Sequence, residues 1–156
     1  MIKPKKSLGQ NFLIDNNIID KIINLSNIEN KNIVEIGPGT GNLTNKIIDK
    51  NPKSLILIEK DKKLIDLLEN KFSNQKKVKL FNEDILKFQL EKAIKTDSII
   101  IGNLPYNISS QILVKLIKFK KWLPKYKKLI LMFQKEVADK ILAKHKSYSF
   151  GRLAVL

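Results

Sequence analysis

Residues 33–44 read IVEIGPGTGNLT, and this stretch decides the fold. Its apolar first half predicts a buried strand, and the residues after Gly41 predict a helix, so the glycines occupy the turn between them. Glycine adopts positive φ at little cost and lets a ligand approach the backbone closely. We therefore expect the backbone of Gly37, Gly39 and Gly41 to lie close against a ligand, with an ordinary tight turn as the alternative.

The residues around this turn favour S-adenosylmethionine over a dinucleotide. The glycine spacing is G-x-G-x-G rather than G-x-G-x-x-G, and Glu35 would repel a pyrophosphate at the helix N-terminus. S-adenosylmethionine has a sulfonium and an ammonium but no phosphate, so an acidic neighbour suits it. Glu59 follows the apolar run 55–58, which is where an acidic side chain accepts hydrogen bonds from ribose hydroxyls.

The amino-acid composition limits the classes to which this protein can belong. The chain has 156 residues, which fits one domain, and its net charge of +15 favours a polyanionic partner such as nucleic acid. An excess of lysine from codon bias would weaken that inference. With no cysteine and one histidine, the chain offers neither a thiolate metal site nor a histidine cluster. It shows no membrane-spanning run or signal peptide, so we expect a cytoplasmic protein without membrane association, and a monomer.

Apolar strand patterns alternate with helical patterns along the chain. Such alternation predicts an α/β fold of the Rossmann-like type, a mostly parallel sheet with helices on both faces and ligands at the carboxyl ends of the strands. Besides the strand before Gly37, strands are expected at 55–58, 78–81, 98–101 and 129–133. Helices are expected after a cap at Asp15 or Asn16, at 43–49, after a cap at Asp61, from 110, and at 136–143.

The residues after the fourth strand, Asn103-Leu104-Pro105-Tyr106, suggest a reaction. An exocyclic adenine amine is a weak nucleophile because its lone pair is delocalised into the ring. The Asn103 side-chain oxygen and the Leu104 carbonyl, held by the fixed φ of Pro105, could accept both N–H groups and leave the lone pair aimed at a methyl donor, with no metal. Tyr106 offers a stacking face for the base. The alternative is a proline-directed turn that closes a strand.

Seven motifs occur in an order that resembles one family. The chain is similar in these motifs to the KsgA-type ribosomal RNA adenine dimethyltransferases, and the similarity extends over nearly its whole length. Phe150 stands where that family usually has tyrosine. The motifs are SLGQNFL at 7–13, EIGPGTGNLT at 35–44, IEKD at 58–61, EDIL at 83–86, GNLPYNIS at 102–109, FQKEVADKI at 133–141 and FGRL at 150–153.

This resemblance implies a function and a set of site residues. It implies dimethylation at N6 of two adjacent adenosines in small-subunit ribosomal RNA during ribosome biogenesis, with S-adenosylmethionine as the methyl donor. Asp84 would bond the adenine amino group of the cofactor, and the target adenines would meet residues 103–106. The cofactor site would be lined by Asn11, Leu13, Gly37, Glu59, Asp84 and Asn103.

The resemblance also implies that residues 1–156 form a methyltransferase domain that is incomplete at its C-terminus. The family continues into further strands and a helical C-terminal domain, and this sequence stops within the apolar run 152–156. Three alternatives stay open: a large-subunit methyltransferase of the erythromycin-resistance type, a non-catalytic RNA-binding factor, and an adenine-N6 DNA methyltransferase. The stretch 118–128 interleaves cations with aromatics; it could grip RNA or be an ordinary solvated helix end.

Overall fold

A five-stranded parallel sheet forms the centre of the protein. The structure is a computed structural model that describes residues 4–118 and 123–155. The strand order is β3-β2-β1-β4-β5, and every neighbouring pair is parallel. All five predicted strands are present, although β5 begins three residues earlier than expected. The strands are β1 (Asn32–Ile36), β2 (Ser54–Glu59), β3 (Val78–Asn82), β4 (Ser98–Asn103) and β5 (Tyr126–Met132).

Helices connect the strands, and two of their predicted caps are confirmed. Asp15 accepts hydrogen bonds from the N–H groups of Asn17 and Ile18, and Asp61 accepts one from Lys63. Residues 119–122, which belong to the basic and aromatic stretch 118–128, lie outside the described residues. The helices are a 3-10 turn (Lys6–Leu8), α1 (Asn16–Asn24), α2 (Asn42–Asp49), α3 (Lys62–Phe72), α4 (Leu90–Ala93), α5 (Ser109–Ile117), α6 (Lys135–Ile141) and α7 (Arg152–Val155). The sequence did not predict the 3-10 turn, α4 or α7.

The sheet buries a separate apolar layer on each face. Strand side chains alternate between faces, so Ile33 joins one layer and its neighbour Val34 joins the other. Helices α1, α2 and α3 cover the first layer, whereas α4 and α5 contribute to the second. The expectation of helices on both faces is confirmed. Within residues 4–118 and 123–155, no helix has the length and apolar character needed to cross a membrane.

The register of the three central strands determines what meets at the carboxyl edge of the sheet. Ile36, the last residue of β1, lies opposite Ile58 of β2 and Gly102 of β4. The residues that follow this level are Gly37 after β1, Glu59 at the end of β2 and Asn103 at the end of β4. The chain runs from β1 to β2 and β3 on one side of β1, and then crosses to β4 and β5 on the other side. The strand order therefore reverses beside β1. Open α/β sheets bind ligands at such a point.

Gly102 is required by the close packing at this edge. A Cβ at this position would lie 2.9 Å from the backbone oxygen of Ile36 and 3.0 Å from a methyl carbon of Leu104. We expect Gly102→Ala to lower the free energy of unfolding by about 1–3 kcal/mol, because the backbone of β1 must shift. Denaturant unfolding monitored by circular dichroism measures this change.

Gly151→Ala is the matched control for that substitution. A Cβ at Gly151 would meet no atom within 4 Å, so this variant should stay within about 0.5 kcal/mol of the wild type. Equal stabilities of the two variants would contradict the packing described for β4.

Candidate active site

A cleft of about 200 Å³ opens at the carboxyl edge of β1, β2 and β4. The parallel strands bring to it side chains and backbone from segments that are far apart in the sequence. Of the residues predicted to bind the cofactor or act in the reaction, eight line the cleft: Asn11, Leu13, Gly37, Gly39, Glu59, Asp84, Asn103 and Pro105. The central geometric expectation, that Asn103 and the glycine turn share one pocket, is confirmed.

The glycine turn adopts the left-handed backbone conformation that its sequence predicts. Gly37, Gly39 and Gly41 have φ values of 67°, 58° and 79°. The N–H of Gly37 donates to the carbonyl of Ile58 at 3.0 Å, which ties the start of the turn to β2. The expectation is wrong for Gly41, which does not line the cleft. A Cβ there would lie 3.0 Å from Phe72 of α3, so this glycine serves packing between helices.

Glu59 connects the glycine turn to the end of β2. One carboxylate oxygen accepts a hydrogen bond from the N–H of Gly39 at 3.3 Å, and the other accepts from the N–H groups of Lys60 and Asp61 at 2.9 Å each. Burial raises the pKa of Glu59 above its ordinary value, although these N–H donors oppose the rise. The carboxylate therefore stabilises the turn while it lines the cleft, where its remaining lone pairs can accept further donors.

Asp84 lies at the entrance to the loop after β3. Its carboxylate accepts a hydrogen bond from the N–H of Leu86 at 2.9 Å and pairs with the Lys60 ammonium at 2.9 Å. Burial alone would raise the pKa of Asp84, but Lys60 and the Leu86 N–H outweigh it, and the pKa is lowered. An ionised acceptor thus faces the cleft at this position.

The Asn103 side chain is held in one orientation. Its Nδ2 donates to the backbone carbonyl of Asn11 at 2.7 Å. The amide nitrogen is thereby engaged, and Oδ1 remains as the acceptor that the reaction hypothesis requires. Asn103 is half-buried, and the carbonyl of the same residue would lie 3.6 Å from a Cβ at Gly37.

The other three residues of the predicted reaction motif occupy different environments. Pro105 lines the cleft, whereas the side chains of Leu104 and Tyr106 do not. The Leu104 side chain is buried in the layer under α5. Tyr106 is 42% exposed, and its hydroxyl donates to the carbonyl of Lys6 at 3.3 Å.

Sequence reasoning did not include Glu35 among the site residues, although it lines the cleft. This carboxyl is 1% exposed and accepts a 2.7 Å hydrogen bond from the Thr44 hydroxyl. Burial raises its pKa to about 7, helped by the nearby Glu59, while the Thr44 hydroxyl and Lys71 oppose the rise. The signal in the sequence was an acidic residue inside an apolar strand. Burial of a carboxyl group costs free energy, so such a residue indicates a specific partner or a function.

The N-terminal segment also contributes more than was predicted. Residues 5–13, which we call the strap, line the cleft with Ser7, Leu8, Gln10 and Phe12 as well as the expected Asn11 and Leu13. A Cβ at Gly39 would lie 3.1 Å from the Phe12 ring, so the strap and the glycine turn are in close contact. In the described parts of the chain, no group of three or more histidine or acidic side chains could hold a metal ion.

The sheet order and the cleft define the class of protein. This is the fold of the class I S-adenosylmethionine-dependent methyltransferases. Residues 1–156 match the ribosomal RNA adenine dimethylase family, and the chain belongs to that family.

Individual relatives agree with this assignment. The chain is 47% identical to a ribosomal RNA small subunit methyltransferase A of Pelagibacter ubique, over 99% of this chain and 58% of the relative. It is 44% identical to the protein of that description in Mycoplasma mobile, over 97% of this chain and 57% of the relative. The chain thus spans somewhat more than half the length of these curated relatives.

Solved structures show the same relationship. A dimethyladenosine transferase from Plasmodium falciparum aligns with a TM-score of 0.79 and 32% identity, over 93% of this chain and 51% of that one. The 23S rRNA methyltransferase ErmE aligns with a TM-score of 0.72 and 26% identity, over 83% of this chain and 50% of that one. The erythromycin-resistance type, one of the open alternatives, is therefore a related branch.

The buried Glu35 gives the protein a specific pH dependence. Its pKa is about 7 when folded and 4.5 in the unfolded reference, so the folded state binds this proton more tightly. Stability should fall as pH rises from about 4.5 to 7 and then level off, a contribution of about 3 kcal/mol. Glu35→Gln should abolish this pH dependence. The free energy of unfolding of the variant, relative to that of the wild type, should therefore increase between pH 5 and pH 8.

Denaturant unfolding at several pH values measures this difference. The exposed Glu29 supplies the matched control, because Glu29→Gln should change stability equally at both ends of the range. Parallel stability curves for wild type and Glu35→Gln would contradict a buried carboxyl that is neutral below pH 7.

Proposed function

We propose that this chain is the cofactor-binding and catalytic part of an S-adenosylmethionine-dependent ribosomal RNA adenine-N6 dimethyltransferase acting on the small-subunit RNA. The observation that carries the proposal is the orientation of Asn103. Its Nδ2 is held by the Asn11 carbonyl, and its Oδ1 is left as an acceptor in the cleft that the glycine turn also lines. Membership of the ribosomal RNA adenine dimethylase family supplies the substrate class.

The cleft suits S-adenosylmethionine in shape and charge. Gly37 and Gly39 provide backbone without side chains, and the carboxylates of Glu59 and Asp84 line the same cleft. Carboxylates attract a cationic ligand, and Glu59 and Asp84 are placed to accept hydrogen bonds from a ribose and an adenine amino group. The bound cofactor supplies an electrophilic methyl group on a sulfonium.

The protein's own part in the reaction is to orient the target amine. Asn103 Oδ1 and the Leu104 carbonyl accept its two N–H groups, which directs the nitrogen lone pair out of the base plane toward the methyl donor. Pro105 fixes the backbone that presents the Leu104 carbonyl. The exposed ring of Tyr106 stacks on the base, a contact worth about 1–3 kcal/mol in comparable sites. The methylated nitrogen is cationic and acidic and then gives its proton to solvent water, so a strong base is unnecessary.

The family resemblance also implies a wider setting for the reaction. The targets would be two adjacent adenosines of the small-subunit RNA, modified on the immature subunit by a monomer in the cytoplasm. The high net charge of +15 supports an RNA partner, because each lysine that neutralises a phosphate releases a counterion. ErmE-like large-subunit modification is the second candidate, favoured only by the structural similarity to that enzyme.

Asn103→Ala tests the chemical part of the proposal. Without the carboxamide, the amine loses one of its two acceptors, and we expect methyl transfer to fall by at least about 100-fold. Cofactor affinity should change by less than about tenfold, because the glycine turn and the carboxylates remain. Transfer is measured with labelled S-adenosylmethionine on small- and large-subunit RNA, and affinity by calorimetry.

Asn45→Ala is the control, since Asn45 is exposed on α2 and does not line the cleft. Wild-type turnover in Asn103→Ala would refute the proposed role of Asn103. Label in large-subunit RNA alone would favour the second candidate, and no label in any RNA would leave a non-catalytic RNA-binding protein.

A further inference from the structure

Asp61, the residue that caps α3, has a buried carboxylate with partners outside its own helix. Its side chain is 3% exposed, although it lies only two residues beyond the end of β2. The carboxylate forms an ion pair with Lys5 at 2.7 Å and accepts a hydrogen bond from the Gln10 amide at 3.2 Å. Both partners belong to the strap, more than fifty residues away in the sequence.

These three residues form a closed hydrogen-bonded ring. The backbone N–H of Lys5 donates to the Gln10 side-chain oxygen at 2.8 Å, so the strap folds back on itself before it meets Asp61. Burial alone would raise the pKa of Asp61, but Lys5, Gln10 and the Lys63 N–H outweigh it, and the pKa is lowered. A buried carboxylate is costly without such partners, so the strap and the carboxylate depend on each other.

Asp61 also contacts Glu59, which lines the cleft. Its backbone N–H donates to Glu59 at 2.9 Å, and its second carboxylate oxygen accepts from the Lys63 N–H at 3.1 Å as the cap of α3. The same residue therefore holds the strap, helps to orient Glu59 and begins a helix. A cap alone would need only the last of these contacts.

The strap, in turn, contacts the reaction motif. The Asn11 carbonyl accepts the Asn103 amide N–H at 2.7 Å, and the Gly9 carbonyl accepts the Tyr106 N–H at 3.4 Å. If the strap moved away, Asn103 would lose the partner that keeps Oδ1 toward the cleft. A chain of contacts thus runs from Asp61 through the strap to Asn103.

We propose that Asp61 is a positioning residue, which seats the strap through Lys5 and Gln10 and so keeps the Asn103 carboxamide in its reactive orientation. The catalytic consequence rests on the proposed function, whereas the seating of the strap does not. Asp61 acts through other residues and does not line the cleft itself.

Hydrogen–deuterium exchange of the full chain tests the seating directly. Lys5→Met removes the ammonium, and Asp61→Asn removes the charge but keeps a capping oxygen and the N–H to Glu59. We expect each variant to speed exchange of the strap amides by about tenfold, as the loss of a hydrogen bond to a charged group implies. Amides of β1 should keep their wild-type protection, which excludes a general loss of stability.

The double variant distinguishes one shared contact from two separate effects. If Lys5 and Asp61 act on each other, Lys5→Met/Asp61→Asn should exchange about tenfold faster than wild type rather than about 100-fold. Lys6→Met is the matched control, because it removes an equal charge from the same segment. The Lys6 ammonium forms no ion pair with any of residues 4–118 or 123–155, so its variant should exchange as the wild type does.

Methyl-transfer kinetics then test the consequence for Asn103. At saturating RNA and cofactor, kcat should be about tenfold lower in Lys5→Met than in Lys6→Met. Any change in RNA affinity that comes from the lost positive charge should be equal in the two variants. Strap exchange in Lys5→Met equal to that of Lys6→Met would overturn the seating. Faster exchange with an unchanged kcat would overturn the link to Asn103. A wild type that transfers no methyl group would refute the proposed function, and the exchange result would still decide the seating.

Discussion

The parallel pairing of β1 between β2 and β4 is the constraint on which the site depends. Because Ile36 lies opposite both Ile58 and Gly102, the strands end at one level, and the residue that follows each apolar run reaches the same cleft. A shift of one residue in either pairing would send the side chains that follow to the opposite face of the sheet. The two apolar layers oppose such a shift, since the central strands fill both of them: Ile33, Leu55 and Ile99 pack in one layer, and Val34, Ile58 and Ile100 pack in the other.

Buried acidic side chains cluster at one edge of the sheet inside a strongly basic chain. The carboxyl groups of Glu35, Glu59 and Asp61 are all buried near one edge of the sheet, whereas the chain as a whole carries a net charge of +15. Each has a distinct set of partners: a hydroxyl, backbone N–H groups, or an ammonium with an amide. This separation gives a cleft that suits a cationic ligand within a protein whose surface suits a polyanion.

Much of this arrangement could be predicted from sequence, because local patterns carry it. The glycine turn, the acid at the end of β2 and the Asn103 motif each follow an apolar strand, so parallel pairing alone brings them together. The strap's ion pair to Asp61 could not be predicted, since it joins segments more than fifty residues apart. The early start of β5 was missed because Lys127 and Lys128 interrupt its apolar pattern, and α4 was missed because four residues show no helical period.

The most direct test of the central claim is a crystal structure of the full chain with S-adenosylhomocysteine. The account predicts the ribose hydroxyls within hydrogen-bond distance of Glu59, the adenine amino group at Asp84, and the sulfur facing the side of the cleft where Asn103 Oδ1 lies. A ligand bound away from the Gly37–Gly39 turn, or an Asn103 carboxamide turned so that its nitrogen faces the sulfur, would contradict it.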